Sequence, residues 1–436
     1  MLWIVYNVSF SIGFTAMLPW FFWRMWRRGG YRRGFMQRLA VYDGPVRARL
    51  AARRRIWIHA VSVGEMYVAL EFMKELRTRR TGTAFVVTTT TSTAHRIAER
   101  LLAPEDVLLY FPADFPPVVR KALDLFKPEA VILTESEFWP NLIRLCGKRR
   151  IPVVLINGRI SDRSLPRYRM ARIFFRRALG DMSLFCMQSA EDARRIAELG
   201  AARERIHTPG SAKYDVARFD ASGAAAARDV LARAGFGVDD PIILGGSTWP
   251  GEEAAQLSVY RDIRARFPTA RLVLVPRHEE RSPKVLAEIR AAGLSCIRRR
   301  ELDSESRAGN PPDVLLVDTT GELKSFYSCA SLIFVGKSLT CHGGQNIIEP
   351  ALFGKPVIVG PNMENFRAIM DDFREAGAIV EVASGAELAE TAARLLGAPA
   401  ARSSLGERAR ALVTAKRGAV ARMVELSLAL LSQPAP

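Results

Sequence analysis

Short runs of apolar, often β-branched residues alternate with longer stretches whose apolar positions recur every three or four residues, almost from one end of the chain to the other. Residues 56–60, 84–88, 130–134 and 153–157 predict buried strands, with helix-length segments such as 66–77 and 92–102 between them. The second half repeats the pattern, with strands near 242–245, 272–275, 314–317, 332–335 and 356–359. Strands that are apolar throughout and separated by amphipathic helices form βαβ units, hence parallel sheets covered on both faces. Residues 220–240, an alanine run followed by Gly235-Phe236-Gly237-Val238-Asp239-Asp240, read as the connection between two such sheets. The expectation is an α/β chain of two doubly wound domains, consistent with a length of 436 residues.

Two segments break the alternation. Residues 2–23 are apolar and end in Trp20, Phe21, Phe22 and Trp23, and a basic run at 24–33 follows. Positive charge after the apolar run, with no small-residue cleavage site, predicts a retained membrane anchor with the rest of the chain on the cytoplasmic side. Asn7, Ser9, Ser11 and Pro19 interrupt it, so both a spanning helix and one lying in the interface remain open. Residues 166–179 predict an amphipathic helix in which Arg167, Arg169, Arg172, Arg176 and Arg177 interleave with Tyr168, Met170, Ile173, Phe174 and Phe175. Such a helix suits anionic lipid or the phosphates of a lipid substrate; a core-facing helix with solvated arginines is the alternative.

Composition adds a net charge of +18, which fits nucleic acid, a membrane surface or an anionic substrate. No nucleic-acid recognition module is present, so a nucleic-acid partner is not expected. The five cysteines are scattered without C-x-x-C spacing, the five histidines form no cluster and no D-x-D occurs. Neither a disulfide framework nor a metal site is expected.

In a doubly wound sheet, chemistry belongs to the loops that leave the carboxyl ends of the strands. Six such loops are polar: Ser62 to Glu65, Glu135 to Asn141, Gly246 to Glu253, Pro276 to Glu280, Asp318 to Glu322, and Gly343 to Pro350. The last follows a buried strand and opens a predicted helix. Two glycines there admit a ligand close to the main chain, and the helix N-terminus offers N–H groups to a phosphate. Glu349, one turn on, is placed to take a ribose hydroxyl.

Taken in order, Ser62-Val63-Gly64-Glu65, Glu135-Ser136-Glu137-Phe138-Trp139-Pro140-Asn141, Gly210-Ser211-Ala212-Lys213-Tyr214-Asp215, Pro276-Arg277-His278, Thr320-Gly321-Glu322 and the Gly343 to Glu349 loop resemble the bacterial 3-deoxy-D-manno-octulosonic acid (Kdo) transferases. The resemblance implies a membrane-associated enzyme of the GT-B fold, two Rossmann-like domains facing a central cleft. It implies inverting transfer of Kdo from CMP-Kdo to the lipid A precursor (lipid IVA), at an anionic inner-membrane surface, without a cofactor. The corresponding division is an anchor at 1–28, an acceptor domain at 29–215, a linker at 216–240 and a CMP-sugar domain at 241–436.

Carried over residue by residue, the resemblance makes Glu65 the general base, its pKa raised by partial burial. Glu135 and Lys213 assist the transition state, Lys213 together with the helix N-terminus near Asn346 by stabilising the departing phosphate. The CMP contacts fall on Pro276, Arg277, Thr320, Gly321, Glu322, Asn346, Ile347, Ile348 and Glu349. Glu137 and Trp139 are read as structural, because an aromatic followed by proline more often packs than reacts. Trp249, Lys337 and Gln345 depart from the family pattern and alter the donor pocket. A GT-B enzyme using another nucleotide sugar on a different envelope glycan, and a membrane-anchored lipid- or nucleotide-binding protein without turnover, are the rival readings.

Overall fold

Strands of three to seven residues that are apolar on both faces have to be covered on both faces, and the chain meets that demand twice. The computed structural model describes residues 2–28, 34–217, 221–303 and 310–432. It divides into a first unit, Met1–Val216 with Arg417–Pro436, and a second, Ala217–Lys416.

The first unit holds a seven-stranded parallel sheet of β1 (Ile56–His59), β2 (Phe85–Thr89), β3 (Val107–Tyr110), β4 (Val131–Thr134), β5 (Val153–Gly158), β6 (Leu184–Met187) and β7 (Ile206–His207), in the order β3-β2-β1-β4-β5-β6-β7. Alternate side chains divide between two cores: Trp57, Val86 and Leu133 enter one, Ile56, Ile58 and Ile132 the other. The second unit repeats the plan with β8 (Ile242–Thr248), β9 (Arg271–Pro276), β10 (Cys296–Arg298), β11 (Val314–Leu316), β12 (Leu332–Val335), β13 (Val357–Val359) and β14 (Val380–Glu381), in the order β10-β11-β9-β8-β12-β13-β14. Each sheet reverses its winding once, between β1 and β4 in the first unit and between β8 and β12 in the second. Ligands of doubly wound sheets bind at such a switch point.

Three expectations need correction. Residues 417–436 are not part of the second domain: the helix Ala419–Leu431 returns to the first unit, where Ala419, Val420, Met423 and Val424 are buried in the core beside Ile56 and Ile58. Burial of four such side chains outweighs the sequence continuity with the second unit. Residues 216–240 are not simply a linker, because they contain the helix Ala221–Arg233, which packs on the helix Leu323–Tyr327 of the second unit; residues 218–220 lie outside the described ones. The segment 166–179 is two helices, Leu165–Met170 and Arg172–Gly180, parted at Ala171. Tyr168 and Phe175 pack on the core, whereas Met170 and Ile173 are 88% and 73% exposed.

The N-terminal helix, Leu2–Arg28, is seated on the first unit. Tyr6 donates to Asp114 at 2.8 Å, and Asn141 donates to the side chain of Asn7 at 2.8 Å. Phe10 and Phe14 meet the ring of Phe115 edge-on, and Tyr6 stacks on Phe174. Ile4, Val5, Val8, Ile12, Met17, Trp20 and Trp23 of the same helix stay exposed. No described helix is long and apolar enough to cross a membrane. Residues 29–33 of the basic run lie outside the described residues.

Candidate active site

The loops leaving β1 and β4 flank the switch point of the first sheet, and they bring three carboxylates together. Ser62 caps the helix Val63–Arg79, its Oγ accepting from the Glu65 N–H at 3.3 Å. Glu65 therefore sits in the first turn with its side chain directed back over the end of β1. Its Oε2 accepts from the Val61 N–H at 2.9 Å and lies 2.9 Å from the Thr134 hydroxyl. That hydroxyl also lies 2.9 Å from the His59 carbonyl oxygen, so its single proton serves one of the two at a time. Glu65 is 7% exposed, and the hydrogen bonds its carboxylate receives from Val61 and Thr134 both fall on Oε2; among the described residues no bond to Oε1 is found. Burial raises the Glu65 carboxyl above the ordinary carboxylate range, and the Glu135 charge adds to the effect; the bonds from Val61, Ser62 and Thr134 oppose it. A raised pKa makes a better base near neutrality.

Glu135 leaves β4 in the left-handed region, at φ 54°. A non-glycine residue pays roughly 1–2 kcal/mol for that conformation, and such strain collects at functional sites. Its main chain is fixed on both sides: the Glu135 N–H donates to the Ile156 carbonyl at 3.0 Å, and the Glu135 carbonyl accepts from the Arg159 N–H at 3.2 Å. Its carboxylate faces Lys213 Nζ at 3.9 Å, an Arg159 guanidinium nitrogen at 3.8 Å and Asn157 Nδ2 at 3.5 Å. Asn157 is itself left-handed, at φ 52°, and its Oδ1 accepts from the Ala212 N–H at 3.0 Å, tying the end of β5 to the residue before Lys213. Burial holds the Lys213 ammonium below the usual lysine range, with Glu135 acting against it. Glu65, Glu135 and Lys213, far apart in sequence, thus belong to one electrostatic cluster.

Sequence reasoning missed His59, Thr134, Asn157 and Arg159. His59 and Thr134 sit inside apolar strands, where a polar residue with a buried neighbour leaves no pattern to read. Asn157-Gly158-Arg159, an unbranched polar triplet closing a strand of valine, leucine and isoleucine, was the legible signal.

The remaining residues lie in the second unit, on loops that leave the carboxyl ends of β9, β11 and β12. Pro276 ends β9 and is buried, and Arg277 is exposed, with its N–H donated to the Thr248 carbonyl at 3.1 Å. Thr320 and Gly321 are exposed, Gly321 at φ 93°; Glu322 accepts from Arg299 at 3.1 Å and from the Thr319 hydroxyl. Ile347 and Ile348 are buried, so any contact they make with a ligand is through the main chain. Glu349 pairs with Lys324 at 2.6 Å. Burial raises the Tyr327 phenol well above its usual range; the Glu349 charge adds to this and Arg277 opposes it.

The helix expected to open at Asn346 is shorter, Ile348–Leu352, with Ile347 at its N-cap and no side-chain cap; in the turn before it Asn346 Oδ1 accepts from the Ile348 N–H at 3.0 Å. Two N–H groups of the glycine turn are already bonded: that of Gly343 to Glu364 at 2.7 Å and that of Gly344 to the Lys337 carbonyl at 2.8 Å. Cations add to what the turn offers an anion. Lys337, left-handed at φ 60°, lies over the Trp249 ring with Nζ 4.8 Å from its centroid.

Residues 33–216 match the family model described as 3-deoxy-D-manno-octulosonic-acid transferase (kdotransferase). The chain is 32% identical over 429 residues to a 3-deoxy-D-manno-octulosonic acid transferase of Bordetella pertussis, covering 97% of each. It is 31% identical over 399 residues to the transferase of that name from Haemophilus influenzae, covering 91% of each. Among solved structures it resembles the UDP-GlcNAc 2-epimerase of Neisseria meningitidis bound to UDP-GlcNAc, with TM-score 0.58 and 16% identity over 86% of this chain and 100% of that one. At that identity the likeness is one of fold.

Proposed function

The chain belongs to the Kdo transferase family and is a glycosyltransferase, and from that premise we propose that it moves Kdo from CMP-Kdo to the lipid A precursor, lipid IVA, with Glu65 as general base. The Glu65 carboxyl, its pKa raised by burial and its bonds from Val61 and Thr134 both on Oε2, carries this reading. Oε1 takes the proton from a sugar hydroxyl of the acceptor as its oxygen attacks the anomeric carbon of Kdo. The bond from that carbon to the CMP phosphate breaks with inversion, and Glu65 returns its proton to water. Glu135, fixed in its left-handed turn, holds Lys213 and Arg159 beside the reacting groups, where their positive charge opposes the negative charge that develops.

The donor's nucleotide belongs to the second unit. There Arg277 suits a phosphate by its bidentate fork, Lys337 adds a second cation, and the Thr320, Gly321 and Glu322 loop with Asn346 to Glu349 surrounds the nucleoside. No cofactor enters the reaction. The acceptor is an anionic lipid, and the exposed apolar residues of the helix Leu2–Arg28, with Met170 and Ile173 beside an arginine-rich surface, support attachment to the anionic cytoplasmic face of the inner membrane. The helix would lie along the interface, since its Tyr6 and Asn7 side chains are engaged with the first unit.

Mass spectrometry of lipid IVA incubated with CMP-Kdo and the enzyme tests the reaction. Increments of one or more Kdo residues are expected, and a CMP-linked donor is expected to be used in preference to a UDP-linked one. Absence of any increment, with CMP bound, would remove the proposed donor and acceptor together.

A further inference from the structure

Glu137 was set aside as packing, and its surroundings give it a chemical task. His59, at the end of β1, is fully buried, its ring stacked on Phe111 at 3.9 Å and meeting Trp139 edge-on at 6.1 Å between centroids. Its Nδ1 lies 3.0 Å from the Thr88 carbonyl oxygen. The Thr88 hydroxyl is also 3.0 Å from Nδ1, and with its own proton directed to the Ile58 carbonyl at 3.4 Å it accepts there as the carbonyl does, which places the proton of the neutral imidazole on Nδ1 and leaves Nε2 a bare lone pair. Burial keeps the ring neutral by lowering its pKa to about 3. That Nε2 is buried with no hydrogen-bond partner among the described residues, and the group facing it is Glu137, whose Oε2 stands 3.9 Å away, just outside hydrogen-bond distance.

An ionised carboxylate would set negative oxygen against that lone pair. A protonated carboxyl would supply the one hydrogen that Nε2 lacks. The groups around Glu137 favour the second state. Burial, then the negative charge of Glu65 on the β1 loop, push its carboxyl up to about 7. Glu135 adds to this, and the Trp139 indole opposes it. The Tyr168 hydroxyl, from the helix Leu165–Met170, is in electrostatic reach, as Arg38 is of His59.

We propose that Glu137 is a positioning residue that works as a neutral acid, its proton held toward His59 Nε2. This draws the loop after β4 toward the end of β1 and adds no further negative charge to those of Glu65 and Glu135. The proposal rests on Glu65 being the base. Glu137 keeps its proton through the turnover. Above neutrality it loses that proton, its approach to His59 is lost, and a further negative charge joins those of Glu65 and Glu135. The pair then titrates as a unit, and kcat/KM falls on the alkaline side.

The test compares kcat/KM from about pH 5 to about pH 9 for the intact enzyme, Glu137→Gln and Glu137→Met. The glutamine stays neutral and keeps a donor for Nε2, so its rate at neutral pH is expected within about threefold of the parent, with the alkaline fall gone. The methionine supplies no donor and is expected to lose about tenfold or more. A Glu137→Gln enzyme as crippled as Glu65→Gln, or one whose alkaline fall is unchanged, overturns the proposal.

Infrared spectra of the substrate-free protein near neutral pH give a readout independent of catalysis. A carboxylic-acid carbonyl component that disappears in Glu137→Gln is expected, and its absence overturns the proposal even if Glu65 is the base. Undiminished turnover by Glu65→Gln with that component present would instead sink the assignment of the base.

Discussion

Each unit places a glutamate in the opening turn of the helix that follows the strand beside its switch point, and the two glutamates end in opposite conditions. Glu252, after β8, is fully buried, and four main-chain N–H groups saturate it: Trp249 and Lys337 on Oε2 at 2.9 and 2.8 Å, Ser338 and Leu339 on Oε1 at 2.9 and 3.0 Å. Glu65, after β1, receives one N–H and shares one hydroxyl, both on Oε2. The first carboxylate is a building part. It holds Lys337 in its left-handed turn and so shapes the loop that leads to the glycines at 343 and 344. Gly336 shows how tight that seat is, because a Cβ there would stand 2.3 Å from the Ser247 carbonyl oxygen and 2.7 Å from Glu252 Oε2. The second carboxylate is left one oxygen short of saturation. The difference teaches that position in the fold does not make a base; an unspent lone pair does.

Neutralising each glutamate separates the two conditions. Glu65→Gln is expected to lower kcat by about 10²–10⁴-fold. It should leave the melting temperature unchanged or raised, since a carboxyl with a raised pKa gives up little by becoming neutral. Turnover by mass spectrometry and a thermal melt of the same preparation check it. A Glu65→Gln protein that is inactive because it unfolds would break the comparison.

Glu252→Gln should do the reverse. One carboxamide oxygen cannot serve four N–H groups, and its NH2 would be driven against two of them. The expected cost is about 3–5 kcal/mol of stability, read from urea unfolding. Loss of under about 1 kcal/mol would mean that the four bonds are not what holds the Lys337 turn.

How much of this contrast was legible follows from what each glutamate binds. The doubly wound architecture and the strands near the switch points follow from apolar runs, whereas the grouping of Glu135 and Lys213 with Glu65 was readable only as what the family resemblance implies. Nothing in Glu252-Glu253 marks the first as saturated and the second as paired with Arg281 at 2.7 Å, since the N–H donors come from residues 337–339, a whole sheet crossing away in sequence. The return of Ala419–Leu431 to the first unit is hidden for the same reason. Its apolar face says that it packs, not on which sheet. Short strands such as β7 and β14, two residues each, carry too little pattern to be seen.

The smallest expected effect asks where the Thr134 proton goes, and so how Glu65 is tuned. If the hydroxyl donates to Glu65 Oε2, it favours the carboxylate, and Thr134→Val removes that support without removing volume. The folded-state pKa of Glu65, already raised, then rises further. The acid limb of kcat/KM is expected to move to higher pH by about one unit, the worth of one hydrogen bond to a charged group. The rate well above the limb stays as it was, because there Glu65 is ionised in both enzymes. If the limb does not move, the hydroxyl donates to the His59 carbonyl instead, 2.9 Å away. A shift to lower pH would instead mean that Glu65 meets Thr134 Oγ1 as a protonated donor, since the valine takes away the acceptor of its neutral form.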